Sequence, residues 1–339
     1  MDVSTSRRIV LLGKTGAGKS SLANTIFGKD IFKINHSPTT ETSLSQVETK
    51  CVRGRKLTLI DTLSLFDTGG SEDLLRTEIV RCITECAPGP HAFLIVLKVD
   101  KYTQQEIDVI RKICDYFSED ALKFAALVFT HGDQLPDEMK IEQFVSHNAG
   151  LSDLVKKCGG RCHVVDNKYW KVNDEGQYRS NQFQVAELLR TIDEIIKAND
   201  ERCYTNELLK EVTREIQKKE DNIRQSTSNM SPEAIRNKAT TNVFNELLIK
   251  LVGATTGVLF GAFLGVAEQV YSIVWNLKEP SELAAPAQGK ILMSAALQGA
   301  MRGGTVGYGA AVRAETPEDA AQKAVGALWN DSARSGKQK

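Results

Sequence analysis

Gly13-Lys14-Thr15-Gly16-Ala17-Gly18-Lys19-Ser20 follows the apolar run Ile9-Val10-Leu11-Leu12 and precedes Ser21-Leu22-Ala23-Asn24-Thr25-Ile26-Phe27, which Gly28 closes. The order is buried strand, glycine-rich turn, helix, and the turn fits the pattern G-x-x-x-x-G-K-[ST]. Backbone N–H groups of such a turn curl around an anion, glycine lets them come close, and the helix N-terminus adds the positive end of its dipole. The eight residues from Gly13 to Ser20, with Ser21 behind them, are expected to cradle the phosphates of a nucleoside triphosphate. Lys19 is expected to reach the β- and γ-phosphates, and the Ser20 hydroxyl to hold Mg²⁺.

Outward from this turn, residues 7–198 alternate apolar runs with helical patterns, which predicts a sheet covered by helices. Ser45–Arg53 alternates like a half-exposed strand, and Leu57-Thr58-Leu59-Ile60 runs to Asp61. The Gly54-Arg55 turn between them predicts an antiparallel hairpin. Further strands are expected at 92–97, 124–129 and 163–165, with helices near 103–117, 138–157 and 180–198. The fold class expected is α/β: a mostly parallel sheet with one antiparallel edge hairpin, followed by an α-helical C-terminal extension.

The choice of base rests on Thr130-His131-Gly132-Asp133, directly after the 124–129 strand. A carboxylate there can accept from both N1–H and the exocyclic amine of guanine. Adenine offers no such donor pair, and a carboxylate left unpaired is costly. His131 can stack on the base, and Asn167, at the end of the 163–165 strand, stands where a second base contact is expected. Asp61 ends its strand where a carboxylate can hold Mg²⁺ through a water. In the polar stretch His36-Ser37-Pro38-Thr39-Thr40-Glu41-Thr42, Thr40, with Thr39 as the alternative, is expected to ligate Mg²⁺ and offer its N–H to the γ-phosphate. Such a loop is ordered by triphosphate and released after hydrolysis.

Taken together these residues resemble the GTPase domain of the AIG1 family, the GTPases of immunity-associated proteins. The resemblance covers about residues 7–200. It is carried also by Ala87-Pro88-Gly89-Pro90-His91-Ala92-Phe93-Leu94-Ile95-Val96 with Tyr102-Thr103, by Phe129-Thr130-His131-Gly132-Asp133-Gln134-Leu135, and by Cys158-Gly159-Gly160-Arg161. It implies a Ras-like P-loop GTPase domain with extra elements, GTP and GDP as ligands, Mg²⁺, and nucleotide-dependent self-association, often at intracellular membranes. One departure stands out. The family follows the box Asp-Thr with Pro-Gly, whereas Asp61-Thr62 leads here to Leu63-Ser64-Leu65. The glycine that gives its N–H to the γ-phosphate is a serine, and no glutamine stands where small GTPases orient the attacking water. Weak intrinsic hydrolysis is the expectation, with any catalytic group supplied by another residue or a partner chain.

Beyond residue 200 the texture changes. Residues 201–225 are dense in charge, with Leu209, Val212, Ile216 and Ile223 at helical spacing, as in a solvated amphipathic helix or a short coiled coil. Residues 240–313 hold two glycine-laced apolar segments, 247–267 and 291–312, and 314–339 form a polar tail. Gly253, Gly257, Gly261 and Gly265 recur every fourth residue, as do Gly299, Gly303 and Gly307. Glycine costs about 1 kcal/mol in a helix, so the repeat implies close helix packing. Between Lys250 and Glu268 lie 17 uncharged residues, just short of the about 20 that span a bilayer. Arg302 interrupts the second segment. A membrane hairpin within 247–312, a self-packed soluble hairpin and an interface with another chain are the three readings.

Composition narrows the rest. Lys plus Arg and Asp plus Glu number 43 each among 339 residues, and no arginine–aromatic interleaving suggests a nucleic-acid surface. The seven cysteines, odd in number and scattered, read as reduced thiols rather than a disulfide framework. The four-residue spacing of Cys82/Cys86 and Cys158/Cys162 does not match a metal motif. No apolar leader precedes Ile9, so a cytoplasmic protein, peripheral or anchored on an intracellular membrane, is expected.

Overall fold

The computed structural model describes residues 6–34, 46–62, 72–100, 117–170, 177–227, 229–251 and 254–278. Expectations for Thr39, Thr40, Leu63-Ser64-Leu65, the 103–117 helix except its last residue, the second apolar segment and the polar tail lie outside them. The chain divides into two compact units, one of residues 1–71 and 85–205, the other of residues 72–84 and 206–339.

The first unit is built on a six-stranded sheet: β1 (Arg7–Leu12), β2 (Gln46–Val52), β3 (Arg55–Asp61), β4 (Ala92–Lys98), β5 (Ala125–Thr130) and β6 (Cys162–Val164), in the order β2-β3-β1-β4-β5-β6. All neighbours pair in parallel except β2 and β3. Parallel strands are covered on both faces, which is why Ile9–Leu12, Ala92–Val96 and Ala125–Phe129 of β5 are apolar without alternation and buried. The β2–β3 turn falls at Arg53-Gly54, both with positive φ (45° and 78°), one residue earlier than expected. That conformation matches the twist of a hairpin, and Arg55 is already paired with Val52.

The helices of this unit are α1 (Lys19–Phe27), the short α3 (Glu119–Leu122), α4 (Ile141–Ser146), α5 (Ala149–Lys157) and α6 (Asn181–Ala198). The stretch expected as one helix over 138–157 is two. Asn148 is extended, and its side chain accepts from Leu151 N–H at 3.0 Å, capping a new helix rather than continuing the old.

The second unit is helical: residues 72–84 of α2 (Glu72–Cys86), then α7 (Glu207–Ser226), α8 (Pro232–Lys250), α9 (Thr256–Phe263) and α10 (Ala267–Lys278). Leu208, Leu209, Val212, Ile216 and Ile223 of α7 are buried, and α7 packs on α8, with Arg236–Glu220 (2.9 Å) and Lys219–Glu246 as ion pairs between them. Asn206 caps α7 through Leu209 N–H and also donates to the Ala262 and Phe263 carbonyls that end α9 (2.9 and 3.1 Å).

The apolar stretch 247–267 is not one helix. α8 ends at Lys250, and α9 meets α10 at 109°. Gly265, at φ 89°, makes that bend, so it does not extend the face that Gly257 and Gly261 share on α9. Gly261 instead makes room for the Gln269 side chain, which a β-carbon there would overlap. Among the described residues no single helix is long and apolar enough to cross a membrane; α9 and α10 satisfy that test only as a bent pair.

Candidate nucleotide-binding site

Because five strands are parallel, their C-terminal ends share one edge of the sheet, where an open α/β fold places its ligand. Leu11 of β1 lies in register with Asp61, Leu12 with Ile95, Lys98 with Thr130, and Phe129 with Val164. The phosphate loop, Asp61, the Thr130–Asp133 turn and the Asp166-Asn167 turn therefore emerge side by side.

In the loop, Gly16 and Gly18 have left-handed φ (74° and 87°), and Gly18 starts α1. At Gly13 a β-carbon would sit 2.5 Å from the Val96 carbonyl oxygen, so the chain passes β4 too closely for a side chain. Lys19 is buried and its ammonium donates to the Gly13 and Lys14 carbonyls at 2.8 and 3.0 Å. It thus lies folded along the loop that it is expected to close over phosphate. Lys14, Thr15 and Gly16 form the outer rim, and Ala17 is buried beneath it.

Ser20 donates to Asp61 Oδ2 at 2.5 Å, and Asp61 Oδ1 is buried with no hydrogen-bond partner. Burial pushes the Asp61 carboxyl above the usual carboxylate range, against the pull of Lys19 and of the Ser20 hydroxyl. A buried oxygen acceptor without a donor, beside a serine hydroxyl, is a donor set that suits a hard divalent cation. The residues present fit Mg²⁺.

At the base end, His131 is left-handed (φ 59°), and its Nδ1 lies 3.0 Å from Thr130 Oγ1. Asp133 accepts from the Gln134 amide at 2.5 Å. Asn167 accepts from Thr25 Oγ1 of α1 at 2.9 Å. Its amide nitrogen lies 3.1 Å from where a Gly18 β-carbon would be, so it reaches back to the phosphate loop. His131, Asp133 and Asn167 are brought to the edge that carries the loop.

Three residues act here that spacing alone did not single out. Thr130, fully buried, donates to the Ala17 carbonyl at 2.8 Å and so ties the base turn to the phosphate loop. Asp166 Oδ1 accepts from Lys168 N–H (2.9 Å) and Tyr169 N–H, and Oδ2 takes a long contact from Asp133 N–H (3.4 Å). Trp170 covers Gly132, where a β-carbon would fall 2.6 Å from the indole Cη2. A tryptophan and an aspartate flanking Asn167 were the only sequence signals for the last two.

A sheet of this order, with a phosphate loop after β1, a buried carboxylate ending β3 and an Asp-bearing turn after β5, defines a Ras-like P-loop GTPase domain. The AIG1 family profile matches residues 7–224, and the chain belongs to the AIG1 family. Similar proteins are GTPase IMAP family member 8 of Homo sapiens (31% identical, over 59% of this chain and 29% of that one) and immune-associated nucleotide-binding protein 7 of Arabidopsis thaliana (31%, over 63% and 69%). Immune-associated nucleotide-binding protein 8 of the same plant is 35% identical, over 59% of this chain and 56% of that one. The chain thus spans under a third of the human protein's length and between a half and seven-tenths of these plant proteins. Toc33 of Arabidopsis thaliana, solved with GDP and Mg²⁺, is 21% identical with a TM-score of 0.44, over 56% of this chain and 84% of that one.

Proposed function

We propose that this chain is a guanine-nucleotide switch that binds GTP and GDP with Mg²⁺, hydrolyses GTP slowly, and couples the nucleotide to self-assembly. The observation that carries it is the bracing of the base turns onto the phosphate loop, Thr130 to the Ala17 carbonyl and Asn167 to Thr25. In this reading Lys19 unfolds from the Gly13 and Lys14 carbonyls onto the β- and γ-phosphates, and Asp133 accepts the two guanine N–H groups. Ser20 and Thr40 hold Mg²⁺ through their hydroxyls and Asp61 holds it through water. When bound, the ion neutralises charge on the phosphate oxygens. The test is competition of GDP against ADP, with Asp133→Asn. The wild type should prefer GDP strongly, and the variant should shift toward xanthine nucleotides, because an asparagine donates where the carboxylate accepted. Equal affinity for ADP and GDP would sink the reading.

Leu63-Ser64-Leu65 favours a second reading, a GTP-dependent oligomeric scaffold with negligible hydrolysis. Single-turnover hydrolysis separates the two. A switch completed across a dimer should accelerate with protein concentration from an unassisted rate on the order of 10⁻⁴–10⁻² s⁻¹, whereas a scaffold stays flat. Location at an intracellular membrane is part of the proposal. It is supported by exposed Tyr271 and Trp275, whose rings lie 6.0 Å apart on α10 of the bent apolar pair. Amphipathic rings of this kind favour the lipid–water interface.

A further inference from the structure

Asp166 is bonded more widely than a turn residue needs to be. Its backbone N–H donates to Asn181 Oδ1 (3.1 Å) and its carbonyl accepts from Asn181 Nδ2 (2.5 Å), which fixes it to the start of α6. Its carboxylate gathers the N–H groups of Lys168 and Tyr169 on one oxygen and faces Asp133 with the other. The two carboxyls lie close enough for each to shift the other. Trp170, at the end of the gathered turn, closes over Gly132, so both turns are held as one block.

We propose that Asp166 is a positioning residue for guanine recognition, fastening the turn after β6 to the turn after β5 and holding the Asp133 carboxyl in place to receive the base. The proposal rests on the reading of Asp133 as the guanine acceptor. Two carboxyls in contact ionise less freely together, so one takes up a proton more readily than the other. Burial and the bond to Asp166 raise Asp133. Burial works against the Asp166 charge, but the bonds from Asp133, Tyr169 and Lys168 outweigh it and hold Asp166 below the usual range. Of the two, Asp133 is therefore the carboxyl that takes up a proton first as pH falls. Guanine needs Asp133 ionised, because both base N–H groups donate to it. Binding of the base displaces that proton to solvent, while Asp166 stays charged on its backbone donors. Close to the pair are the Lys168 ammonium, which feels both carboxylates, and the Tyr169 N–H from the β6 turn, and the Gln134 amide from the Asp133 turn. From the stretch before α6 comes Arg179, which holds the Leu135 and Pro136 carbonyls.

The experiment titrates GDP and ADP against the full chain from about pH 7.5 to about pH 5, in wild type, Asp166→Asn, Asp166→Ala and Asp133→Ala. Titration of the β-phosphate is common to all and cancels in ratios to wild type. Asp166→Asn still accepts from the turn and donates to Asp133, so its neutral-pH GDP affinity should stay within about threefold. Its acid limb should move to lower pH, gaining on wild type by about tenfold per unit of separation. Asp166→Ala should lose about tenfold in GDP-over-ADP preference, the weight of one charge-assisted bond. Equal losses for GDP and ADP, or an acid limb unmoved in Asp166→Asn, would overturn the proposal while Asp133→Ala still abolished guanine preference. Asp133→Ala retaining that preference would overturn the underlying reading and the proposal with it.

Discussion

Thr62 is buried with its hydroxyl on the Leu11 carbonyl at 2.6 Å, so the residue after Asp61 anchors β3 to β1 and leaves the carboxylate facing Ser20. Two histidines hold the sheet in a comparable way and make it sensitive to acid. His91 Nδ1 accepts the Arg8 backbone N–H at 3.0 Å, and His163 Nε2 lies 3.0 Å from Thr191 Oγ1. Burial, then Arg8 and Arg7, lowers His91 from 6.5 to about 4; burial, then Arg190, lowers His163 to about 4 as well. Both are neutral when folded, so between these values the unfolded chain binds more protons. Stability is therefore full above about pH 6.5, falls as pH drops toward about 4, and loses no more from these groups below it. Denaturant midpoints across that window should fall in wild type and fall less in a His91→Gln/His163→Gln double variant. Equal falls would contradict the assignment.

Among the elements, the close contact of α9 and α10 gives the sharpest expectation. Gly261 has no side chain because Gln269 fills that space, and Gln269 Oε1 is itself buried with no hydrogen-bond partner. Gly261→Leu must expel the Gln269 side chain and overfill the contact, at a cost of about 1–3 kcal/mol, and should lower the unfolding temperature without changing GDP affinity. An unchanged unfolding temperature would show that the contact is loose. The glycine repeat was visible in the sequence but its meaning was not. A period of four fits both a helix face and a helix–bend–helix, and the left-handed φ of Gly265 settles which. The strands were legible because burial on both faces leaves apolar runs with little to confuse them. The phosphate loop and the Asp133 turn could be placed from the sequence because each directly follows an apolar strand run. Thr130, Asp166 and Trp170 could not, since their work depends on which strand ends are neighbours: Thr130 reaches Ala17 across 113 residues. The break at Asn148 was missed because a cap and a mid-helix asparagine look alike until φ is known.

At the scale of the whole molecule, the chain visits its helical unit twice. Asp61 ends β3, and Glu72–Thr84 belongs to the second unit before Glu85 returns to the first. Within that unit Arg76 Nε donates to the Ala254 carbonyl at 3.0 Å, and the Arg81 guanidinium lies 5.9 Å from the Phe244 ring centre. A reading of residues 7–200 as a contiguous GTPase domain leads to the expectation that removing 240–339 leaves a soluble, GTP-binding remainder. The structure argues for a different result. That cut removes Phe244 and Ala254, the partners of Arg81 and Arg76. It also deletes most of α8 and all of α9 and α10, the helices that pack on α7, whose Leu208, Val212 and Ile216 are buried. Each such side chain is worth about 1.5–3 kcal/mol when buried, so an uncovered row of them drives association. Residues 1–239 should therefore unfold at lower temperature than the full chain and elute as aggregates. GDP binding should survive in whatever fraction stays soluble, because every residue of the candidate site, with Trp170 and Asn181 that support it, lies within 1–239. Size-exclusion chromatography and thermal unfolding with and without GDP check this directly. A monomeric 1–239 fragment with the full chain's unfolding temperature would mean that the second unit adds nothing to α2, and that the contiguous boundary was right.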